Sequence, residues 1–308
     1  MAAVLPAQTD RVLIAVSPKA GATAAGPQVE RLSKLLAERN FRVEMSSDLS
    51  QIAELSSRWH EAGQLRAVVA AGGDGTAAQV LNHTVPGVPL ALFPLGTENL
   101  LAKHYRLENR AEQVCETIAA GHVRQLDAGS ANGRLFLLMV SCGFDADVVS
   151  RLHDRRGGHI SRWDYAKPIL DSIRSYDYPE VKVSFVPEGG DSAHPQAVVA
   201  RWVFLFNLPC YARGLPLAPQ ADGADGLLDL CTFREGSLWH GLRYLAAVTR
   251  GRHSQLPDCG IARVRSLRVE AQNKTPFQVD GDPGGLLPLE VSVVPNRVTL
   301  LTPTPAVR

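Results

Sequence analysis

The stretch "RAVVAAGGDGTAAQVLNH" (66–83) decides the fold. An apolar run leads into Gly72-Gly73-Asp74-Gly75-Thr76, and a helix-forming run follows. Glycine loses more backbone freedom on folding than any other residue, so three of them within four positions need a reason. A glycine turn between a parallel strand and a helix supplies one: bare backbone amides can approach an anion, and the helix N-terminus favours negative charge. Asp74 is the odd member. A carboxylate beside a phosphate is repulsive unless a cation or a hydroxyl lies between them. The plainer reading is an Asx-type turn or a helix cap, with Thr76 placed to cap the helix that follows.

Outward from that turn the first third of the chain alternates. "RVLIAV" (11–16), "FRVEM" (41–45), 66–71 and "PLALF" (89–93) read as strands. Between them "QVERLSKLLAERN" (28–40), "LSQIAELSSRWHEA" (49–62) and 77–83 carry helical periodicity, and another helix follows residue 96. This predicts a parallel sheet with helices on both faces. The pattern changes near residue 122. Strand-like runs then dominate, with an Asn132-Gly133 hairpin, strands at 180–186, 196–208, 227–233, 261–270, 276–279, 289–294 and 297–302, and helices at 162–176 and 237–250. "PEGGDSAHPQ" (187–196) reads as an exposed hairpin loop. The expected division is 1–127, an α/β domain, and 128–308, a mainly antiparallel β domain whose final strands are candidates to return to the first. Leu238, Leu242, Leu245 and Val248 fall on one helical face, expected to point into the core, with membrane insertion as the alternative.

Bulk properties bound the rest. At 308 residues two domains are the better prior. A net charge of +1 speaks against a dedicated nucleic-acid binder. The five cysteines show no C-x-x-C pair, so neither a disulfide framework nor a zinc site is suggested, and a reduced, cytoplasmic setting fits best. No signal peptide and no apolar run of ~20 residues is visible, so contact with a membrane is expected to be peripheral and transient.

Three loops follow strands of the parallel sheet: "SPKAGAT" (17–23), "GGDGT" (72–76) and "PLGTEN" (94–99). All should lie at the carboxyl edge, where open α/β sheets bind ligands. Neither G-x-G-x-x-G nor a Walker loop is present. "GGDGT" with "PLGTENLLA" (94–102) resembles the catalytic domain of the diacylglycerol kinase family, which includes bacterial soluble lipid kinases and the sphingosine and ceramide kinases. "SPKAG" resembles that family's first nucleotide loop, and the likeness runs over about residues 11–302. It implies an NAD kinase/lipid kinase-like α/β domain, a β-sandwich second domain, and ATP with Mg²⁺. The nucleotide would be held by Ser17, Gly21, Gly72, Gly73, Gly75, Thr76, Gly96, Thr97 and Asn99, with Asp74 helping to hold Mg²⁺. Ser17 stands where asparagine is usual, and Glu98 where a small residue is common.

In the second half, "PQADGADGLLDL" (219–230) places carboxylates around glycines. Such a turn offers oxygens to a hard cation, or is simply solvated. The resemblance implies a structural Mg²⁺ on Asp222, Asp225 and the Leu227 carbonyl. "TPFQVDGDPGG" (275–285) reads as a hairpin turn, Asp-Gly being a common hairpin signal. The resemblance makes Asp280 the catalytic base and gives Asp282 the place of a metal-associated glutamate. "SCGFDADVV" (141–149) reads as a strand end in which Asp145 or Asp147 faces inward; the resemblance to the sphingosine kinases implies that an aspartate there, Asp147 by position, holds the substrate head, and a salt bridge with Arg151 is the plainer reading. Where the family has a glycine run, this chain has Ala212-Arg213-Gly214. "RLHDRRGGHI" (151–160) reads as a solvated basic loop, with contact to anionic lipid headgroups as the alternative.

The expected activity is transfer of the γ-phosphate of ATP to a lipid hydroxyl, of diacylglycerol or a relative, at a membrane surface. Nucleic acid is not an expected partner, and a homodimer stays open. Two rivals remain: an NAD kinase, whose Asn-Glu pair has the opposite order to Glu98-Asn99, and a nucleotide-binding module without catalysis.

Overall fold

The computed structural model describes residues 3–6, 8–17, 25–154, 176–190, 195–211 and 215–303. The chain forms two compact units, Met1–Asp127 with Pro295–Arg308, and Ala128–Val294.

The first unit runs β1 (Ala3–Val4), β2 (Arg11–Val16), α1 (Ala25–Glu38), β3 (Arg42–Ser46), α2 (Leu49–Glu61), β4 (Leu65–Gly72), α3 (Asp74–His83), β5 (Pro89–Pro94), α4 (Leu100–His104) and α5 (Ala111–Ala120). The strands order β3–β2–β4–β5, and all are parallel. Every residue of β4 and β5 is buried, as expected of strands covered on both faces. One face packs Val12, Ile14, Ala67, Val69 and Phe93 against Leu32 and Leu36 of α1 and Val114 and Ile118 of α5. On the other, α2 and α3 pack against β2 and β4. Register sets the loops: Val16 lies beside Ala71, and Gly72 beside Pro94. The chain therefore leaves β2, β4 and β5 along one edge.

The last strand, β16 (Leu289–Leu301), is continuous where a break between 294 and 297 is expected. Its end runs parallel to β5, pairing Thr299 with Pro89. The expected break survives only as a kink: Asn296 takes φ +53°, and its amide donates to Asp127 at 2.8 Å.

The second unit contains β6 (His122–Ala131, begun in the first), β7 (Arg134–Phe136), β8 (Met139–Gly143), α6 (Phe144–Asp154), β9 (Val181–Pro187), β10 (Gln196–Ala200), β11 (Trp202–Phe206), β12 (Leu228–Phe233), α7 (Leu238–Thr249), β13 (Cys259–Ala271), β14 (Pro276–Val279) and β15 (Asp282–Leu286). Within it pairing is antiparallel, in the order β15–β14–β8–β11–β12–β13. The first half of β13 pairs with β12 and its second half with β9 and β16. Inward residues of these strands share a sandwich core that includes Val140, Val183, Leu205, Leu230, Leu267 and Phe277. The Asn132-Gly133 hairpin is as the sequence predicts, with φ +48° and +85° at its two turn residues.

Three expectations give way here. Residues 144–154 are a helix, not a strand end, because Gly143 at φ +101° turns the chain out of β8. The run 196–208 is two strands: β10 pairs with β9, whereas β11 pairs with β8 and β12, and the chain changes partners at Arg201. On α7, Tyr244 and Val248 face the core, and Leu238, Leu242 and Leu245 do not. The expected helix at 162–176, apart from Tyr176, and parts of the loops at 17–23, 151–160 and 187–196 lie outside the described residues.

Arg66, although only 4 % exposed, terminates α5. Its guanidinium donates to the carbonyls of Ile118 and Ala119 at 2.7 Å each, which the helix end leaves without intrahelical partners. Burial lowers its pKa, yet an arginine remains charged there. Gly121 must lack a side chain, since a Cβ would lie 2.2 Å from this guanidinium. Arg66→Met leaves those carbonyls without donors and is expected to cost about 2–4 kcal/mol of unfolding free energy in urea titrations.

Candidate active site

At the carboxyl edge of the parallel sheet two glycine loops meet backbone to backbone. A Cβ on Gly96 would sit 2.5 Å from Gly73 Cα and 2.7 Å from Asn99 Oδ1. A Cβ on Gly72 would meet Thr76 Oγ1 at 2.1 Å. Leu95 N donates to Gly72 O at 3.0 Å, tying the loops at their roots. Glycine at these positions is thus required by close approach within the protein itself, whatever binds above.

Asp74 locks the pair. The helix α3 starts at Asp74 with Gly73 as its N-cap, and no side chain caps it; Thr76 lies in its first turn, so the capping expected of Thr76 is not made. The Asp74 carboxylate instead reaches the next helix. Its two oxygens accept from Leu100 N at 2.8 Å and Leu101 N at 3.0 Å, the first amides of α4. Burial raises its pKa, opposed by those two bonds and by Lys103, and reinforced by Glu98. Glu98 itself lies 3.7 Å from Lys103 in an exposed ion pair.

Asn99 takes φ +50° ahead of α4 and staples its own loop, donating to Pro94 O at 3.0 Å and Gly96 O at 2.7 Å. Its Oδ1 is buried without a partner, an acceptor left open in the seam between the loops. Gly75, Gly96 and Thr97 are exposed. Ser17 N continues the sheet by donating to Ala71 O at 3.3 Å. Gly21 lies outside the described residues.

In the second unit Asp280 and Gly281 take φ +51° and +84°, the Asp-Gly hairpin turn joining β14 to β15. The Asp280 carboxylate accepts from three amides, Leu137 at 2.8 Å, Leu138 at 2.8 Å and Met139 at 2.9 Å. An ionised carboxylate offers about four acceptor positions, so these bonds take most of them. Asp282 lies 3.5 Å from Arg134 in a half-exposed ion pair.

Next to this turn a polar cluster joins β8, β14, the start of α6 and the segment after β11. Asp145, in the first turn of α6, accepts from Ser141 Oγ and from Tyr211 Oη, both at 2.5 Å. Gln278 Nε2 donates to Ser141 Oγ at 2.9 Å, and Gln278 Oε1 accepts from Gly281 N at 2.7 Å. Burial and the neighbouring Asp145 charge push the Tyr211 phenol far up, so it stays a donor. The sequence pointed to Asp145 but not to Ser141, Tyr211 or Gln278. Ser141 and Gln278 became visible only when register placed them opposite each other on β8 and β14. Asp147 pairs with Arg151 at 2.7 Å across one helical turn, the plainer of its two readings.

The loop 219–230 is built by its own bonds. Asp222 O accepts from Ala224 N at 2.7 Å, and Asp225 accepts from Leu227 N at 3.0 Å while pairing with Arg263. Asp229 is buried with one oxygen lacking a partner, and its carboxyl is raised to about 6, mainly by burial and further by Asp225 and Glu188, against the pull of Arg263. Three carboxylates thus face one guanidinium. No group of three His, Cys, Asp or Glu side chains among the described residues is arranged to hold a metal ion. Arg213 and Gly214 lie outside the described residues.

Comparisons with known proteins agree with this architecture. Residues 11–131 match the diacylglycerol kinase catalytic domain, and residues 138–302 match the YegS C-terminal NAD kinase beta sandwich-like domain. A diacylglycerol kinase of Mycobacterium tuberculosis (strain H37Rv) is 28% identical over 246 residues, covering 77% of each chain. One from Bacillus subtilis (strain 168) is 26% identical over 245 residues, again 77% of each. The crystal structure of a diacylglycerol kinase from Bacillus anthracis str. Sterne superposes with a TM-score of 0.68 at 18% identity, covering 98% of this chain and all of that one, a likeness of fold. The chain belongs to the diacylglycerol kinase family with a YegS-type C-terminal domain.

The glycine seam yields a direct test. Gly96→Ala drives a Cβ into backbone that has no room to yield. It is expected to lower unfolding free energy by about 1–3 kcal/mol in chemical denaturation, whereas Gly133→Ala, where a Cβ meets open space, should show only the smaller cost of its positive φ.

Proposed function

We propose that this member of the diacylglycerol kinase family is an ATP-dependent lipid kinase that phosphorylates a hydroxyl of diacylglycerol or a closely related lipid. The observation that carries the reading is the seam of two glycine loops at the ends of neighbouring parallel strands. It presents exposed glycine backbone and the first amides of a ten-residue helix. Amides at Asp74 and Gly75 have no acceptor within α3 and suit phosphate oxygens. The resemblance adds Ser17, Gly21 and Thr97 to the nucleotide's surroundings.

Phosphoryl transfer needs in-line placement, neutralised phosphate charge and an acceptor for one proton. In the proposed step the lipid O–H bond breaks, and its proton passes to the Asp280 carboxylate. The lipid oxygen bonds the γ-phosphorus as the bridge to the β-phosphate breaks, and ADP leaves. The three amides on Asp280 fix its direction, and the lipid hydroxyl would compete for the acceptor capacity they leave. Asp145, held by Ser141 and Tyr211, is the candidate to orient the lipid's polar head, with Asp147 held back by Arg151.

Mg²⁺ would neutralise the phosphate charge when bound with ATP. Asp74 fits that neighbourhood only through lone pairs not already given to Leu100 and Leu101, and Asp282 only by loosening Arg134. At 219–230 Asp225 pairs with Arg263 and Arg265 donates to the Gly226 carbonyl, so a cation there rests on the resemblance. Asp222, Asp225 and the Leu227 carbonyl would hold it once Asp225 leaves Arg263.

One observation favours a second reading, a nucleotide-binding module without catalysis: Asp280 and Asp282 are both engaged by protein groups. Mg²⁺ with labelled ATP and a lipid panel separates the two. The kinase reading expects a labelled phospholipid product. It expects Asp280→Asn to reduce transfer by at least ~10²-fold with ATP affinity retained. Binding of ATP without transfer to any lipid favours the module, and transfer to NAD would revive the NAD kinase.

The cation is tested without turnover. Adding Mg²⁺ to nucleotide-free protein in place of a chelator is expected to raise its thermal midpoint, by preferential binding to the folded state. Asp225→Asn should not respond. Equal responses from both would remove the metal from this loop.

A further inference from the structure

The helix α7 carries its apolar side chains on the wrong face for a core helix. Tyr244 and Val248 point inward; Tyr244 stacks on Phe233 at 4.3 Å between ring centroids, and a Cβ on Gly241 would lie 3.2 Å from the Trp202 ring. Ser237 caps the helix by accepting from His240 N, and the Tyr244 hydroxyl bonds Asp258. The helix is therefore well anchored, and what it shows outward is not a packing failure. Outward are Trp239 at 77% exposure, Leu245 at 49%, Leu242 at 48% and Leu238 at 36%.

These positions form a stripe. Leu238, Leu242 and Leu245 recur at i, i+4 and i+7, with Trp239 beside them. Arg243 and Arg250, seven apart, run along one edge, and Arg252 follows. Residues 237–253 contain no Asp or Glu. Among the described residues one cation of the three is partly matched: Arg243 lies 3.4 Å from Asp258. A tryptophan at one end, leucines along the middle and arginines at the edge are the marks of a helix lying in a lipid interface.

We propose that the outward face of α7 docks the protein on an anionic phospholipid bilayer, its leucines and Trp239 entering the headgroup–acyl boundary and Arg250 and Arg252 meeting the headgroups. This rests on the proposed lipid acceptor, which must be reached in a membrane. The other occupant is a second copy of the chain. Four side chains on a helix of 12 residues fall short of the ~800 Å² per partner that a stable protein interface buries, and the uncompensated arginines would face their own copies.

The test is cosedimentation with vesicles of phosphatidylcholine alone and of phosphatidylcholine with phosphatidylglycerol. It is run on wild type, Leu242→Glu, Trp239→Ala and Arg250→Glu, each checked for native circular dichroism. Transfer to a water-soluble short-chain diacylglycerol is measured in parallel. Wild type is expected to bind the anionic vesicles, more weakly as salt rises. Leu242→Glu and Trp239→Ala should each lose on the order of tenfold or more in partitioning, and Arg250→Glu should lose binding to anionic vesicles more than to neutral ones. Short-chain turnover should stay at the wild-type level in all three. Vesicle binding that is absent in wild type, or unchanged in both Leu242→Glu and Trp239→Ala, overturns the proposal. So does a wild-type dimer that Leu242→Glu splits without any effect on vesicles. Absence of transfer to every lipid, short-chain included, would instead defeat the kinase reading, and it would leave the vesicle result to stand or fall separately.

Discussion

Two oxygens of Asp74 hold the first amides of α4, and that contact fixes the distance between the loops at the ends of β4 and β5. Gly73 and Gly96 can touch only because neither has a side chain, and they stay in touch because Asp74 spans from one loop to the other. The Asn99 staple, the open Asn99 Oδ1 and the exposed backbone of Gly75 and Gly96 all depend on this spacing. A carboxylate buried in this way carries a cost, seen in its raised pKa. Two amide bonds and Lys103 offset it. The same side chain is thus structural in the resting protein and adjacent to any anion bound above the seam.

The second unit uses the same device. Asp280 gathers three consecutive amides of 137–139, as Asp74 gathers two at α4. In each case an aspartate at a glycine turn organises a neighbouring segment of backbone. A carboxylate held by three amides keeps its direction without help from a ligand. The polar cluster of Ser141, Asp145, Tyr211 and Gln278 extends the pattern, because Gln278 ties the Asp280 turn to Asp145 through Gly281 N and Ser141.

Much of the fold was legible because its signals are local. The alternation of apolar strands and periodic helices through residue 120 is a property of short windows, and the Asn132-Gly133 hairpin is a property of two residues. What failed was decided at longer range. Residues 144–154 carry Asp145 and Asp147 in a spacing that suits a strand end, and only the conformation of Gly143 turns them into a helix. Residues 196–208 look like one strand because a change of pairing partner at Arg201 leaves no mark in composition. The apolar positions of α7 have core periodicity, but periodicity cannot say which of two faces meets the core; Tyr244, beside them, took that role. For the candidate site, residue types at Asp74, Asn99, Asp145 and Asp280 were readable, whereas their hydrogen-bond partners, mostly backbone amides and distant side chains, were not. The pairing of Asp225 with Arg263 joins residues 38 apart, and nothing in either local stretch announces it.

The central claim is that Asp74 is the clasp between the two glycine loops. Native-state hydrogen exchange at the Leu100 and Leu101 amides measures it most directly. The account predicts that both amides are protected in the wild-type protein without ligand, and that Asp74→Ala releases them while the amides of β4 and β5 stay protected. Rapid exchange at Leu100 and Leu101 in the wild type, or protection unaffected by loss of the carboxylate, would contradict it.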